Sequence, residues 1–264
     1  MAKTIGVLSL KGGVGKTSSV IALGDAIADF GKKVLLVDGN FSSPTLGLSL
    51  NILNPEKTMH DVINRTSEIE EAIQKYDKFD VLPADLFNKL ELSPMSLKNK
   101  LRPLAKDYDY ILIDSSPALN EETLGAMLAS DKLLVVTTPD LPTLSMTIKA
   151  VKTARKRGAP IAGLIVNKIY NKDFEIPLKD IEGILDVPVL AAIPHDINIL
   201  KAVSKFKPFT SFKPKSKASI EFKKLAGALI GEKFEPKKWT DFLFKWKQPS
   251  LPSVNREIYY NSVF

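Results

Sequence analysis

The chain has 264 residues, 44% of them hydrophobic and 25% charged, and no cysteine. That is enough apolar material for one large α/β core, and it rules out disulfides, thiolate zinc sites, iron–sulfur ligation and a cysteine nucleophile. The net charge of +7 is unevenly placed: residues 201–264 hold 14 Lys and Arg against 5 Asp and Glu, whereas residues 1–200 hold 23 against 25, so an anionic partner is expected at the C-terminal quarter.

Residues 4–10 are apolar and β-compatible and read as a buried strand. The chain then turns sharply, and from Lys16 onward Val20, Ile21, Leu23, Ala26, Ile27 and Phe30 recur at helical spacing up to Gly31. Strand, glycine-rich turn and helix together are the context of a phosphate loop. Gly12, Gly13 and Gly15, with Val14 among them, let backbone N–H groups converge on a phosphate with no Cβ in the way. The helix start at Lys16, Thr17 and Ser18 adds partial positive charge at the same point. Lys16 brings a full charge to the β- and γ-phosphates, and the Thr17 hydroxyl is a ligand for Mg²⁺.

Residues 33–38 are a second apolar strand, ending on Asp38. A strand that follows a helix in this way implies a parallel sheet with helices on its faces. Residues 39–45 form a turn-rich loop at the carboxyl end of that strand, where ligands sit in open α/β sheets. Within it Asn40 can accept a hydrogen bond from water but cannot take its proton at neutral pH. Residues 55–78 read as amphipathic and mainly helical, with Met59, Val62, Ile63, Ile69 and Ile73 inward. Residues 79–84 read as a strand stopped by Pro83, and 93–106 as a helix with Leu97, Leu101 and Leu104 inward.

The apolar strand 111–113 delivers Asp114 at its end, where a carboxylate can hold Mg²⁺ through a water, across the sheet from Thr17. A strand at 132–137, a helix at 145–157 and a strand at 161–167 follow. The last ends on Asn167, whose amide can both donate to and accept from an adenine edge. A further strand covers 187–194. His195 is expected as a loop residue near a nucleotide rather than a metal ligand, since the only other histidine is His60.

A helix begins at 199–205. Residues 206–217 interleave Lys and Phe, which suits either anionic lipid or phosphate backbone, or a connector whose phenylalanines pack down. Ser219 is expected to cap a closing helix over 220–230, with Leu225, Leu229 and Ile230 inward. Beyond Gly231 the organisation changes, which divides the chain into a nucleotide-binding domain, 1–231, and an extension, 232–264. Within the extension Trp239, Phe242, Leu243 and Trp246 fall on one helical face with lysines around it, as in an interfacial helix over about 236–248. The same face would serve for docking on its own domain or on a second chain. Residues 255–264, with Ile258, Tyr259, Tyr260, Val263 and Phe264, are too apolar for a disordered tail and are expected to dock.

No run of about 18 apolar residues is present, and residues 1–10 enter a strand without a signal-peptide pattern, so a cytoplasmic protein is expected, with peripheral membrane contact through the extension. The string Lys11 to Thr17, with a second lysine before the glycine pair and Leu10 where the general loop has glycine, resembles the deviant Walker A loop of the MinD/ParA family of P-loop ATPases, on the side of the archaeal MinD-like proteins. The resemblance implies a doubly wound, mostly parallel α/β sheet with ATP and Mg²⁺ over its carboxyl edge. It implies an ATP-sandwich homodimer in which Lys11 of each protomer crosses to the other's phosphates. Asp38 then opens switch I, as a catalytic residue and a further candidate ligand for the metal. Asn40 stands where the family usually has the aspartate that activates water, from which slow hydrolysis is expected. Residues 114–117 correspond to Walker B and switch II, Asn167 to the adenine reader, and Pro194, His195 and Asp196 to the loop along the base. Three functions follow: a spatial regulator at the membrane acting with a protein partner not identifiable from sequence, a ParA-type partition ATPase on non-specific DNA, or an ATP-bound scaffold with little hydrolysis.

Overall fold

The apolar runs ending at Leu8, Gly39, Ser115 and Thr137 are buried over most of their length and lie together in one sheet. The computed structural model describes residues 1–87 and 94–234. Among the described residues the sheet has eight strands: β1 (Lys3–Leu8), β2 (Val34–Gly39), β3 (Gln74–Tyr76), β4 (Phe79–Leu82), β5 (Tyr110–Ser115), β6 (Lys132–Thr137), β7 (Ile161–Ile169) and β8 (Val189–Pro194). Their order is β3-β4-β2-β5-β1-β6-β7-β8, and only β3 with β4 is antiparallel. The helices are α1 (Lys16–Ala28), α2 (Leu46–Ser49), α3 (Met59–Ile63), α4 (Ile69–Ala72), α5 (Pro94–Leu101), α6 (Glu121–Ala129), α7 (Leu141–Lys156), α8 (Leu178–Leu185), α9 (Ile197–Val203), α10 (Phe209–Phe212) and α11 (Lys217–Ile230). None of them is long and apolar enough to cross a membrane.

Alternate residues of each strand feed opposite faces, which is the two-residue period of the pleat. Val34, Leu36 and Leu112 pack with α1 and α11 on one side, while Leu35, Val37, Ile111 and Ile113 pack beneath α5 and α6 on the other. Leu133 and Val135 build a third cluster with α7 and α8. Each such fully buried Leu or Val is worth about 1.5–3 kcal/mol relative to exposure, so these clusters fix the sheet that carries the site. From β1 the chain runs to one side for β2 to β5 and to the other for β6 to β8. The crevice where the winding reverses therefore opens above the carboxyl end of β1.

Several expectations are corrected. Residues 55–78 are not mainly helical: α3 and α4 are single turns, and residues 74–76 form β3, hairpinned onto β4. Tyr76 stacks on Phe79 at 5.1 Å, and this cross-strand contact outweighs the local helical pattern. Helix α7 starts at Leu141 rather than at 145, because Asp140 accepts the Thr143 N–H at 2.9 Å and Pro142 fits the first turn. Helix α11 is capped by Ser216, not Ser219, whose own N–H donates to Ser216. The expected helix at 236–248, with Trp239, Phe242, Leu243 and Trp246, and residues 255–264 lie outside the described residues.

A polar seam joins α1 to the hairpin and the last helices. Buried Asp25 accepts the Thr210 hydroxyl at 2.5 Å and the Ser211 hydroxyl at 2.8 Å. Lys78 and Lys223 meet Asp29 at 2.6 and 2.9 Å. Burial acts to raise the Asp29 carboxyl, but the two ammonium groups outweigh it and hold the group below its ordinary 3.8. The bound proton count is then higher in the unfolded chain as that group titrates. Stability from Asp29 is accordingly full above pH 3.8 and is lost as pH falls below it. Urea unfolding across pH 2–6 (about) is expected to show this acid slope reduced in Asp29→Asn; an unchanged slope would show that the seam contributes nothing through Asp29.

Candidate nucleotide site

Parallel register sets the site. Asp38 on β2 lies opposite Asp114 on β5, and Asp114 lies opposite Val7 on β1, directly before the glycine-rich turn. Both carboxylates are fully buried, yet they have different partners. Asp114 Oδ1 pairs with the Lys16 ammonium, and Oδ2 accepts the Thr17 hydroxyl at 2.6 Å. With the one Thr17 proton so placed, Thr45, 3.0 Å away, is the donor in the hydroxyl pair Thr17–Thr45. Asp38 instead accepts three backbone N–H groups, those of Asn40 at 3.1 Å, Thr45 at 3.0 Å and Leu46 at 2.9 Å. Burial, and then the neighbouring Asp114 charge, push the Asp38 carboxyl up to about 7, against the backbone donors and Lys16.

Gly15, the N-cap of α1, has a left-handed φ of +92°, and Gly13 has φ +78°. A Cβ at Gly15 would collide with the Asn167 amide, whereas Gly12 and Gly13 face open space where a Cβ would stand. This is a cradle of backbone amides with free volume in front of it. Two residues from β7 hold its outer side. Asn167 Nδ2 donates to Val14 O at 2.7 Å, and Lys168 Nζ donates to Gly13 O at 2.6 Å. Lys168 itself has φ +57°, at an irregularity in the pairing of β7 with β8.

Above the loop lies a cleft of about 490 Å³. Residues 11–18 line one end, and Pro194, His195, Asp196, Ile199 and Leu200 the other. His195 stacks on Tyr170 with ring centres 4.5 Å apart, and Asp196 caps α9 through the Asn198 N–H at 2.9 Å. Lys11 is exposed at the mouth. Asn40 lines the cleft, gives its Nδ2 to Ser43 O, and leaves a buried Oδ1 with no partner among the described residues. Among the described residues no group of three or more His, Cys, Asp or Glu could cage a metal. The donor set, one hydroxyl and one carboxylate beside an amide cradle, fits magnesium carried by phosphate oxygens, and the volume and open glycines fit a nucleoside triphosphate.

The site thus gathers all the residues expected from sequence on one sheet edge. It gives Asn167 a place on the phosphate loop itself, and it makes Asp38 the anchor of the loop that carries Asn40. Sequence reasoning missed Thr45, Lys168 and the Ser42–Glu122 contact between the loop after β2 and the start of α6. Of these only Lys168 carried a signal, as a cation beside Asn167 at a strand end.

The fold and this edge define a P-loop NTPase domain of the doubly wound kind. A model described as an AAA domain matches residues 2–157, and one described as an NUBPL iron-transfer P-loop NTPase matches residues 95–230. An uncharacterized ATP-binding protein of Methanocaldococcus jannaschii is 32% identical over 93% of this chain and 96% of its own length. The cell division ATPase MinD of Pyrococcus furiosus superposes with a TM-score of 0.80 at 35% identity, covering 86% of this chain and 97% of that one. The septum site-determining protein MinD of Pyrococcus horikoshii, complexed with Mg-ADP, superposes with a TM-score of 0.79 at 33% identity, covering 86% and 95%. The chain belongs to the ParA/MinD family of P-loop NTPases.

Because Lys168 grips a carbonyl of the loop, Lys168→Ala is expected to weaken ADP and ATP alike, by about three- to tenfold, in titration calorimetry. A loss confined to ATP would instead make Lys168 a reader of the γ-phosphate.

Proposed function

We propose that this chain is a slow, Mg²⁺-dependent ATPase that closes into an ATP-sandwich homodimer and acts as a MinD-like spatial regulator at a membrane surface. Residues 1–231 form the ATPase domain, and 232–264 an extension whose aromatic face, Trp239, Phe242, Leu243 and Trp246, contacts lipid. The observation that carries the nucleotide part is the sharing of Asp114 by Lys16 and Thr17 at the head of the glycine cradle.

Magnesium, when bound, draws charge from the β- and γ-phosphates. The chain's own residues do the rest. The amides of residues 12–17 would receive the phosphates, and Thr17, with Asp114 beside it, would hold the metal. A triphosphate in the cradle competes with Asp114 for the Lys16 ammonium. Asp38 fixes the loop of Asn40 through backbone donors. With its nitrogen on Ser43, Asn40 presents its oxygen, an acceptor that orients a water without deprotonating it. Lys11 is exposed at the cleft mouth, which supports a role in reaching a second protomer's phosphates and neutralising charge that grows in the transition state. ATP then acts as the switch, through its differential affinity for dimer and monomer.

A partition-type reading, with non-specific DNA as the anionic surface, is favoured by charge alone: residues 197–217 hold six lysines and no acid. An ATP-bound scaffold is favoured by Asn40 alone.

Two measurements test the proposal. Lys16→Ala is expected to abolish Mg-ATP binding in calorimetry, and wild-type affinity in that variant would end the nucleotide reading. Asn40→Asp is expected to raise phosphate release by about ten- to a hundredfold; matching rates would show that Asn40 is not what slows turnover.

A further inference from the structure

Among the described residues, the stretch that follows the cleft presents an exposed apolar patch inside a basic field. Along α9 and just beyond it, Ile197, Leu200, Val203 and Phe206 are 53, 62, 37 and 42% exposed. At about 100° per residue Ile197, Leu200 and Val203 spread over roughly a third of the circumference of α9, Phe206 lies just past its end, and on the rest of the helix Ala202 is fully buried and Ile199 packs on the core. Phe206 is held outward by a left-handed backbone, φ +54°, and its carbonyl accepts the Tyr76 hydroxyl at 2.6 Å. The outward aromatic is therefore fixed by the fold.

Around this patch stand Lys201, Lys205, Lys207, Lys213, Lys215 and Lys217, all exposed, with no Asp or Glu between 197 and 217. None of the six pairs with an acid among the described residues. The abutting β3–β4 hairpin brings one further exposed acid, Asp77. Of the two connector phenylalanines beyond, Phe209 is buried and Phe212 packs on the core, so the lysines of 213–217 are held on a rigid base.

We infer that residues 197–217 form a contact surface for an anionic lipid bilayer, built into the folded domain and separate from the extension. The lysines supply attraction to lipid headgroups. The apolar patch is what decides between partners: phosphate backbone has no use for exposed Ile, Leu, Val and Phe, whereas the boundary between headgroups and acyl chains buries them. Leu200 and Ile199 also line the cleft, so the surface adjoins the candidate nucleotide site. The inference extends the membrane part of the proposed function and is independent of ATP hydrolysis.

The test is cosedimentation of the full chain with phosphatidylcholine vesicles, with and without phosphatidylglycerol. Val203→Gln with Phe206→Asn removes exposed apolar groups, and Asn tolerates the left-handed backbone at 206. This pair is expected to lower partition onto phosphatidylglycerol vesicles by about tenfold, with unchanged thermal unfolding. Lys205→Gln with Lys207→Gln is expected to lower it by about fivefold per charge at low salt. Trp239→Ser with Trp246→Ser is expected to leave a preference for anionic vesicles. If the apolar pair matches wild type while the tryptophan pair abolishes binding, the inference falls and the membrane reading stands on the extension. If the wild-type chain ignores anionic vesicles, both fall. If the lysine pair weakens retention on duplex DNA but not on vesicles, or the apolar pair only converts a dimer to a monomer in size-exclusion chromatography, the surface is not a lipid contact.

Discussion

Everything at the carboxyl edge of the sheet depends on Asp114 being shared between Lys16 and Thr17. A buried carboxylate without a cation is costly, and a buried lysine without an acid equally so. Their pairing lets a fully buried acid stand beside the glycine cradle, next to where phosphates carry charge of its own sign. It also sets a problem for Asp38, which the parallel register places one strand away. Two like charges at that spacing cannot both be held cheaply, and Asp38 meets this with three backbone donors and a raised pKa. Two acids in neighbouring registers therefore do different work. One pairs with Lys16 and Thr17, and the other ties down a loop.

The phosphate cradle is shaped from outside itself. Its glycines permit left-handed turns, but permission is not selection, since glycine also loses the most freedom on ordering. Asn167 and Lys168 make the selection by taking the carbonyls of Val14 and Gly13, which fixes the orientation of the peptide units between them. Donors already aligned need no reorganisation when a ligand arrives. The left-handed backbone at Lys168 is a local cost of that arrangement, of the kind that collects at functional sites.

Membership in the ParA/MinD family agrees with this edge in fold and in phosphate-loop chemistry. Asn40 has one half of its amide committed and the other free among the described residues. Its nitrogen is committed to Ser43, and its oxygen is buried without a donor, so it serves the loop's shape and leaves one acceptor over. An aspartate in that place would lose the donor to Ser43 and add a third acid beside Asp38 and Asp114.

The residues of the sequence determined the strands, the first helix, the phosphate loop and the acids at strand ends, because each of these is a local pattern: an apolar run, a helical period, a glycine spacing. Local pattern failed at 74–76, where pairing with β4 overrode a helical reading, and at Ser219, where Ser216 stood at the capping distance. Only the tertiary structure decided that Asp38 and Asp114 are neighbours, that Asn167 and Lys168 grip the loop from more than 150 residues away, and that Leu200, Val203 and Phe206 are left exposed among the described residues. Register across a sheet and the covering of a helix face depend on which distant segments arrive beside them. No spacing along the chain encodes that.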